Sequence, residues 1–205
     1  MQPWTTIDYD LDRYPFPRLV TTALGVSDLT RLPADRQRWL RHTDQGSRWH
    51  RAFYAAFAGF EDVYCRFVSE VIAPAMGESC YYQRTPTFRV QLTDNVAVGE
   101  FHTDAQYGHP AGEVTFWLPV TPAWGTNSLV VEGHPVTASV GQVVRFDAIS
   151  HRHGNDLNTT GRSRVSFDFR CLPTWRVPPC PNASVNTGWR FTPGEYYADQ
   201  PMGAR

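Results

Sequence analysis

Two residues close together in the sequence have the spacing of a metal site. His102 and Asp104 are separated by one threonine in a run that alternates like a β-strand. Because alternate side chains of a strand point to the same face, the imidazole and the carboxylate can bind one ion together. Such a triplet is frequent by chance, so it predicts a metal site only if a third ligand follows along the chain.

The segment 146–155 offers two candidates for the third ligand. His151 and His153 also alternate onto one face, so strand geometry alone does not separate them. We favour His153, because it lies eleven residues before Arg164 and is followed directly by a Gly-Asn turn. Two histidines and one carboxylate form the facial triad of non-haem Fe(II) oxygenases, whereas zinc favours sites with a single open position.

A strand rich in arginine follows these histidines. Along 162–170, Arg164 and Ser166 share one face, and apolar side chains occupy the other. A guanidinium followed by a hydroxyl two residues later suits the distal carboxylate of 2-oxoglutarate. A chance Arg-x-Ser on a charged edge strand is the simpler interpretation of this segment in isolation. Together with the triad, however, it predicts Fe(II) and 2-oxoglutarate as cofactors and O2 as co-substrate.

The composition narrows the function classes. A chain of 205 residues with 41% hydrophobic side chains suits one folded domain. A formal net charge of −1 indicates no nucleic-acid partner, and no apolar run is long enough to cross a membrane. The absence of lysine excludes Schiff-base chemistry. Four cysteines without a CxxC pair, and an N-terminus unlike a signal peptide, predict a cytoplasmic protein.

The secondary structure predicted around the site differs along the chain, with helices first and strands later. Residues 1–30 look irregular, and helical signals begin near Pro33. The strongest helix is predicted from Ser47 to about Ile72, where aromatic side chains recur at three and four residues and form one apolar stripe. This stripe is typical of core packing.

From about Thr85 onward the chain reads as short strands divided by Gly, Pro and Asn turns. Strands are predicted near 86–92, 97–103, 113–119, 128–132, 142–147 and 163–171, with weaker signals at 136–140 and 150–154. About eight short strands predict a mainly β fold of the jelly-roll, cupin-like kind, with the N-terminal helices packed on one sheet. We expect one domain over 1–205, divided into a mainly helical support (1–80), a jelly-roll core (85–172) and a C-terminal extension (173–205) with one candidate strand at 185–191.

The sequence around the triad resembles a known superfamily. The matching runs are Phe88–Gln91, Asn95–Asp104, Tyr107–Pro110, Phe116–Pro119, Gly125–Asn127, His153–Asn155 and Arg164–Arg170. They are similar to Fe(II)/2-oxoglutarate-dependent oxygenases of the phytanoyl-CoA hydroxylase-like superfamily. More narrowly, they resemble oxygenases of aminoglycoside and orthosomycin antibiotic biosynthesis, of the streptomycin-pathway and hygromycin orthoester-forming types. The resemblance covers about residues 85–172.

The resemblance implies a double-stranded β-helix and assigns roles to individual residues. It implies Fe(II) on the triad and 2-oxoglutarate on Arg164 and Ser166. Polar groups near the other end of 2-oxoglutarate would be Arg89, Gln91, Thr115 and Asn127. Related halogenases replace the carboxylate ligand by a small residue, so the presence of Asp104 argues against halogenation.

Aromatic and polar residues near the predicted strand ends are candidates for substrate contact. They are Tyr107, His109, Trp117, Trp124, Glu132, His134 and His151. Rings stack on the apolar faces of sugars and carboxylates pair with ammonium groups, which suits a polyhydroxylated, amino-bearing sugar. The resemblance implies more narrowly that this small-molecule partner is an aminoglycoside or oligosaccharide antibiotic intermediate. The simpler interpretation makes Trp117 a core residue and leaves Glu132 and His134 as solvated turn residues.

The predicted reaction is oxidation of a substrate C–H bond, which ends either in hydroxylation or in oxidative cyclisation to an orthoester. Three alternatives remain open. The chain could hydroxylate another small metabolite, such as an amino acid or a terpenoid-like compound. It could be a non-catalytic cupin-like sugar-binding module or a metal-dependent sugar isomerase, neither of which needs Arg164 and Ser166.

Overall fold

The computed structural model describes residues 2–33, 46–97, 100–185 and 187–203. The helical signals that begin near Pro33 therefore fall largely on residues 34–45, which lie outside the described residues, as do residues 98 and 99 of the strand predicted over 97–103. None of the described helices has the length and apolarity that a membrane crossing requires.

A six-stranded antiparallel sheet forms the centre of the molecule. Its order is β1 (Trp4–Asp8), β7 (Gln142–Phe146), β4 (Val114–Pro119), β9 (Arg164–Pro173) and β2 (Cys80–Tyr82), and β3 (Thr87–Gln91) pairs with the first half of β9 beside β2. All ten residues of β9 are buried, because strands flank it on both edges and side chains cover both of its faces.

A smaller sheet lies against the large one. It consists of β5 (Val130–Val131), β6 (His134–Pro135) and β8 (His153–Gly154), in the order β6-β5-β8. Buried apolar side chains from both sheets pack together between them, among them Trp117 of β4, Val144 of β7 and Val131 of β5. The predicted mainly β, two-sheet character is confirmed in this form.

Helices cover the opposite face of the large sheet. They are α1 (Phe16–Leu24), α2 (Arg48–Ala56), α3 (Glu61–Phe67) and α4 (Ala73–Met76), with a 3-10 turn at Phe57–Gly59 and a π turn at Val68–Ile72. Phe53 of α2 stacks on Phe88 of β3 at 4.1 Å between ring centroids, and Phe16 of α1 meets Phe167 of β9 at 5.2 Å. The apolar stripe is core packing, as predicted.

The structure corrects the prediction for the N-terminal third. Residues 1–30 are not irregular, because β1 pairs with β7 along its whole length and α1 follows. Pro17 lies in the first turn of α1, where a helix tolerates proline, so it marks a start rather than a break. The helix predicted from Ser47 to Ile72 is interrupted at Phe60, whose φ of −136° is not helical.

Three predicted strands are reduced to single bridges among the described residues. In 97–103 only His102 pairs, with His153, and in 136–140 only Ala138 pairs, with Ala123. In 185–191 only Arg190 pairs, with Ala183. Alternation of residue types alone overestimated these strands, because each lacks a neighbouring strand long enough to form a ladder. The short β2 had no clear sequence signal.

Candidate metal and co-substrate site

The three predicted metal ligands converge beside the small sheet. The Nε2 atoms of His102 and His153 each lie 3.6 Å from Oδ1 of Asp104. Two backbone hydrogen bonds place the histidines side by side, since each N–H donates to the other's carbonyl, at 3.0 and 2.8 Å. Gly154 permits this close approach, because a Cβ at that position would lie 2.9 Å from the Phe101 ring.

The donor atoms of the triad are prepared for a metal ion. The Nδ1 atom of His102 lies 2.6 Å from the Glu100 carbonyl, and that of His153 lies 3.1 Å from the His151 carbonyl. Nδ1–H groups that donate to these carbonyls leave the Nε2 lone pairs directed at Asp104. One donor atom from each residue lies within 4.8 Å of the others, so two imidazoles and one carboxylate fit the facial triad of Fe(II).

Arg170 holds the carboxylate ligand. Its Nε and Nη2 donate to Oδ2 of Asp104 at 3.1 and 2.9 Å, which leaves Oδ1 for the metal. Burial raises the pKa of Asp104, but Arg170 and the neighbouring histidines outweigh that effect and hold it below its usual range. Burial lowers the pKa of His153 to about 4, so the imidazole is in the neutral form that binds metals.

The structure also distinguishes His151 from His153. His153 is buried and faces Asp104, whereas His151 is half-buried and its Nδ1 lies 3.0 Å from the Asp147 carbonyl. Among the described residues, two groups could hold a metal, His102–Asp104–His153 and Asp104–His109–Glu113, and neither contains His151. His151 also lies outside the residues that line the cavity over the triad.

The inner face of β9 carries four buried polar side chains in alternate positions: Arg164, Ser166, Asp168 and Arg170. Arg164 is 1% exposed, and its Nη1 donates to Ser166 Oγ at 2.7 Å. Its Nη2 donates to Gln91 Oε1 at 3.2 Å and its Nε to the Asn127 carbonyl at 3.1 Å. Trp117 Nε1 also donates to Ser166 Oγ, at 3.0 Å. These contacts fix a cation and a hydroxyl at the base of the site.

Asp168 and Arg170 were not among the residues selected from the sequence. Asp168 accepts a hydrogen bond from Arg89 Nε at 2.8 Å and another from Arg170 Nη1. Burial raises the pKa of Asp168, but the two guanidiniums outweigh it and keep the carboxyl ionised. The signal was in the sequence, because the alternation that pairs Arg164 with Ser166 continues through Asp168 to Arg170.

One cavity of about 350 Å³ joins these groups. Nine of the residues predicted for the site line it: His102, Asp104, His153, Arg164, Arg89, Thr115, Tyr107, His109 and Trp117. Ser166, Gln91 and Asn127 lie behind Arg164 as its hydrogen-bond partners. The candidate metal ligands and a buried guanidinium thus face the same space, whose size is typical of a small-molecule site.

The structure places the other substrate candidates elsewhere. Trp124 is 40% exposed, and His134 is exposed on β6. Glu132 lines a separate, smaller cavity, where its carboxylate accepts a hydrogen bond from the Arg152 backbone. Trp124, Glu132 and His134 do not line the cavity over the triad. Proximity in sequence to the predicted strand ends was therefore an insufficient guide.

Part of the cavity wall comes from segments that the sequence did not indicate. Tyr54 of α2 lines it, as do C-terminal residues that include Ser184, Val185, Trp189 and Tyr196. The C-terminal segment has no periodic pattern, so its return over the site could not be read from residue spacing. The same segment packs on His109, whose ring lies 4.4 Å from that of Phe191, while His109 Nδ1 lies 2.6 Å from Oε2 of the buried Glu113.

Solved structures share this fold. The apo form of ThoJ, a non-haem monooxygenase, aligns with a TM-score of 0.52 at 11% identity over 97% of this chain and 82% of its own. SnoK, a non-haem α-ketoglutarate-dependent carbocyclase from nogalamycin biosynthesis, aligns with a TM-score of 0.50 at 10% identity over 84% of this chain and 80% of its own. The chain therefore has the fold of non-haem oxygenases.

The sequence itself has a nearer relative. No protein-family model matches the chain. It is 39% identical over 197 residues to the streptomycin biosynthesis protein StrG of Streptomyces griseus, which covers 96% of this chain and 98% of StrG. The chain belongs to the StrG family. The predicted resemblance to streptomycin-pathway proteins is confirmed to this extent.

Proposed function

We propose that this chain is a single-domain Fe(II)/2-oxoglutarate-dependent oxygenase of the phytanoyl-CoA hydroxylase-like superfamily, with its two sheets arranged as a jelly roll. It oxidises a C–H bond of a sugar-like intermediate in aminoglycoside antibiotic biosynthesis. The observation that carries the proposal is one cavity that joins a two-histidine, one-carboxylate triad to the buried Arg164.

The triad residues have the role of holding the metal. His102 and His153 bind it through Nε2, and Asp104 binds it through Oδ1, since Arg170 occupies Oδ2. When bound, iron and 2-oxoglutarate supply the oxidising power for C–H cleavage, with O2 as oxidant and with succinate and CO2 as by-products. A binding module or a sugar isomerase would need the triad but not a keto-acid anchor.

Arg164 and Ser166 have the role of binding the distal carboxylate of 2-oxoglutarate. Ser166 Oγ accepts hydrogen bonds from both Arg164 and Trp117, so its own O–H is left to donate to an incoming carboxylate oxygen. The guanidinium is charged at every working pH and is already held by Gln91 and Asn127. This fixed geometry lowers the entropic cost of binding the dianion.

The substrate class rests on the walls of the cavity and on the relative. Tyr54, Tyr107 and Trp189 line the cavity and are 39–46% exposed, so they offer rings for the apolar faces of a sugar. StrG is by name a streptomycin biosynthesis protein, which supports an aminoglycoside intermediate. Hydroxylation is the simpler outcome, and oxidative cyclisation to an orthoester requires a substrate hydroxyl held beside the oxidised carbon.

The proposal is tested by 2-oxoglutarate binding to the Ni(II)-loaded protein, measured by calorimetry. We expect Arg164→Met to weaken 2-oxoglutarate binding by about 100-fold while the Ni(II) affinity stays the same, because a charged hydrogen-bonded pair is lost. Arg162→Met is the matched control, because Arg162 lies just before β9 and does not line the cavity. Equal 2-oxoglutarate affinity in wild type and Arg164→Met would contradict the proposal.

A further inference from the structure

Within the part of the chain that the structure describes, both carboxylates that line the cavity are already paired, so neither is available to a cationic substrate. Among the described residues that line it, the acidic side chains are Asp104 and Asp168. Asp104 is held by Arg170 and faces the histidines, and Asp168 accepts hydrogen bonds from two guanidiniums. Glu132, the acid that the sequence suggested for pairing with an ammonium group, lines the other cavity. An amino group of the substrate would therefore find no unpaired carboxylate among the described residues that line the cavity.

The charges of the lining favour an anion instead. Three guanidiniums, of Arg89, Arg164 and Arg170, face this cavity with only those two carboxylates. A bound Fe(II) dication and a 2-oxoglutarate dianion cancel each other formally, so one positive charge remains in excess. In a partly enclosed site, where the effective dielectric constant is below that of water, this excess attracts an anionic substituent and opposes an ammonium group.

Arg89 is the group that can receive this anion. Its Nε donates to Asp168 at 2.8 Å, and no other described residue accepts a hydrogen bond from it. Its side chain is 21% exposed and lines the cavity, so the Nη donors remain for a ligand. Arg164, by contrast, is 1% exposed and lies among Ser166, Gln91 and Asn127.

The position of Arg89 separates it from the proposed co-substrate anchor. Arg89 pairs with Ser166 across the β3–β9 ladder, and Gln91 pairs with Arg164. The guanidiniums of Arg89 and Arg164 therefore lie on the same face of the sheet, in neighbouring residue pairs of that face. Arg89 also directly follows Phe88, whose backbone N–H donates to the Tyr54 hydroxyl at 3.1 Å, so it lies beside one of the exposed rings of the cavity. An anionic group on a sugar stacked against that ring would reach Arg89.

We infer that the substrate is a sugar-like molecule carrying an anionic group, a phosphate or a carboxylate, and that Arg89 binds this group. The inference rests on the proposed function, because it names the substrate class of the same site. A cavity of about 350 Å³ that also holds 2-oxoglutarate leaves room for about one sugar ring. The anionic group is thus on the ring that is oxidised or directly beside it.

The test compares four matched ligands on the protein loaded with Ni(II) and 2-oxoglutarate, which binds but does not turn over. The ligands are glucose, glucosamine, glucose 6-phosphate and glucuronate, with dissociation constants measured by calorimetry. We expect the two anionic sugars to bind at least about tenfold more tightly than glucose, and glucosamine to bind no better than glucose. A difference between the dissociation constants of glucose 6-phosphate and glucuronate identifies whether the site prefers a phosphate or a carboxylate.

Variants at two arginines assign the effect. Arg89→Gln should reduce the anionic preference to within about threefold, and Arg89→Lys should retain most of it, because it keeps the charge. Arg84→Gln is the control, since Arg84 is exposed just before β3 and does not line the cavity. If Arg89→Gln does not fold, the wild-type preference and the Arg89→Lys variant still decide the question.

Three results would overturn the inference. They are tightest binding of glucosamine, no binding of any of the four sugars at millimolar concentration, and an unchanged anionic preference in Arg89→Gln. An Arg89→Gln variant that loses 2-oxoglutarate affinity but not the sugar preference would also assign Arg89 to the co-substrate. Failure of 2-oxoglutarate to bind the wild-type metal-loaded protein is a different outcome, because it contradicts the proposed function itself.

Discussion

The two faces of β9 (Arg164–Pro173) have opposite roles. The outer face presents Val165, Phe167, Phe169 and Cys171, all of them essentially unexposed and packed under the helices. The inner face presents Arg164, Ser166, Asp168 and Arg170 to the cavity side. One strand therefore separates stability from chemistry, and a change on one face should leave the property carried by the other face largely intact.

The largest effect should come from the outer face. Phe169 is fully buried, and its ring lies 5.3 Å from Tyr64 and 5.5 Å from Phe116. We expect Phe169→Ala to lower the free energy of unfolding by about 3–5 kcal/mol, because it leaves a cavity in the aromatic core. Urea denaturation measures this effect, with Trp175→Ala as the control at a side chain that is 66% exposed. A loss below about 1 kcal/mol for Phe169→Ala would show that the outer face of β9 does not carry the stability assigned to it.

The packing of the helices on the large sheet should also lose stability in acid. His50 of α2 is buried against Phe88, its Nε2 has no hydrogen-bond partner among the described residues, and burial lowers its pKa to about 4. The unfolded chain takes up this proton near pH 6.5, whereas the folded chain does so only near pH 4. The free energy of unfolding should therefore fall by up to about 3 kcal/mol between these pH values.

Urea denaturation of the metal-free protein at several pH values measures this dependence. The slope of stability against pH in that window should be smaller in His50→Gln than in wild type. His134→Gln, at an exposed histidine, should retain the wild-type slope. Identical slopes in wild type and His50→Gln would show that His50 does not cause the acid sensitivity.

A change on the inner face should affect the metal site more than the packing. Arg170→Gln removes both hydrogen bonds to Asp104, so we expect about 10–100-fold weaker Co(II) binding and an altered visible Co(II) spectrum. Arg170→Lys should recover part of the affinity because it keeps the charge. If Arg170→Gln lowers the unfolding free energy as much as Phe169→Ala and leaves Co(II) binding unchanged, the separation of the two faces is wrong.

The smallest effect should be at Glu132. Glu132→Gln keeps the acceptor for the Arg152 backbone and changes a residue outside the main cavity. We expect less than a twofold change in kcat/KM for any substrate that drives succinate release, because no charge facing the substrate is lost. A large loss would mean that the acidic turn of the small sheet contacts the substrate, which would restore a partner for an ammonium group.

The site was more predictable from the sequence than its surroundings. The backbone is extended through Thr103 up to the 3-10 helix Asp104–Tyr107, and Arg164 and Ser166 lie on β9, so a period of two describes which side chains share a face in each pair. His151 and His153 obey the same period, so only the pairing of His153 with His102 in three dimensions separates them. Local periodicity predicts a shared face, but it does not predict which strands become neighbours.

The same limit explains what was missed. Asp168 and Arg170 act through partners that are remote in the sequence, Arg89 and Asp104, so their roles depend on the order of the strands. The C-terminal wall of the cavity has neither periodicity nor a motif. The irregular appearance of residues 1–30 came from prolines, although Pro17 lies where a helix can begin.

Fe(II) and 2-oxoglutarate are proposed to bind together at His102, Asp104 and His153. Anaerobic addition of both to the folded protein, followed by visible absorption, tests it most directly. We predict the weak charge-transfer band of an Fe(II)–keto-acid chelate, present in wild type and His151→Ala and absent in Asp104→Ala and His153→Ala. A folded wild-type protein without the band, or a band that survives in His153→Ala and is lost in His151→Ala, would contradict the account.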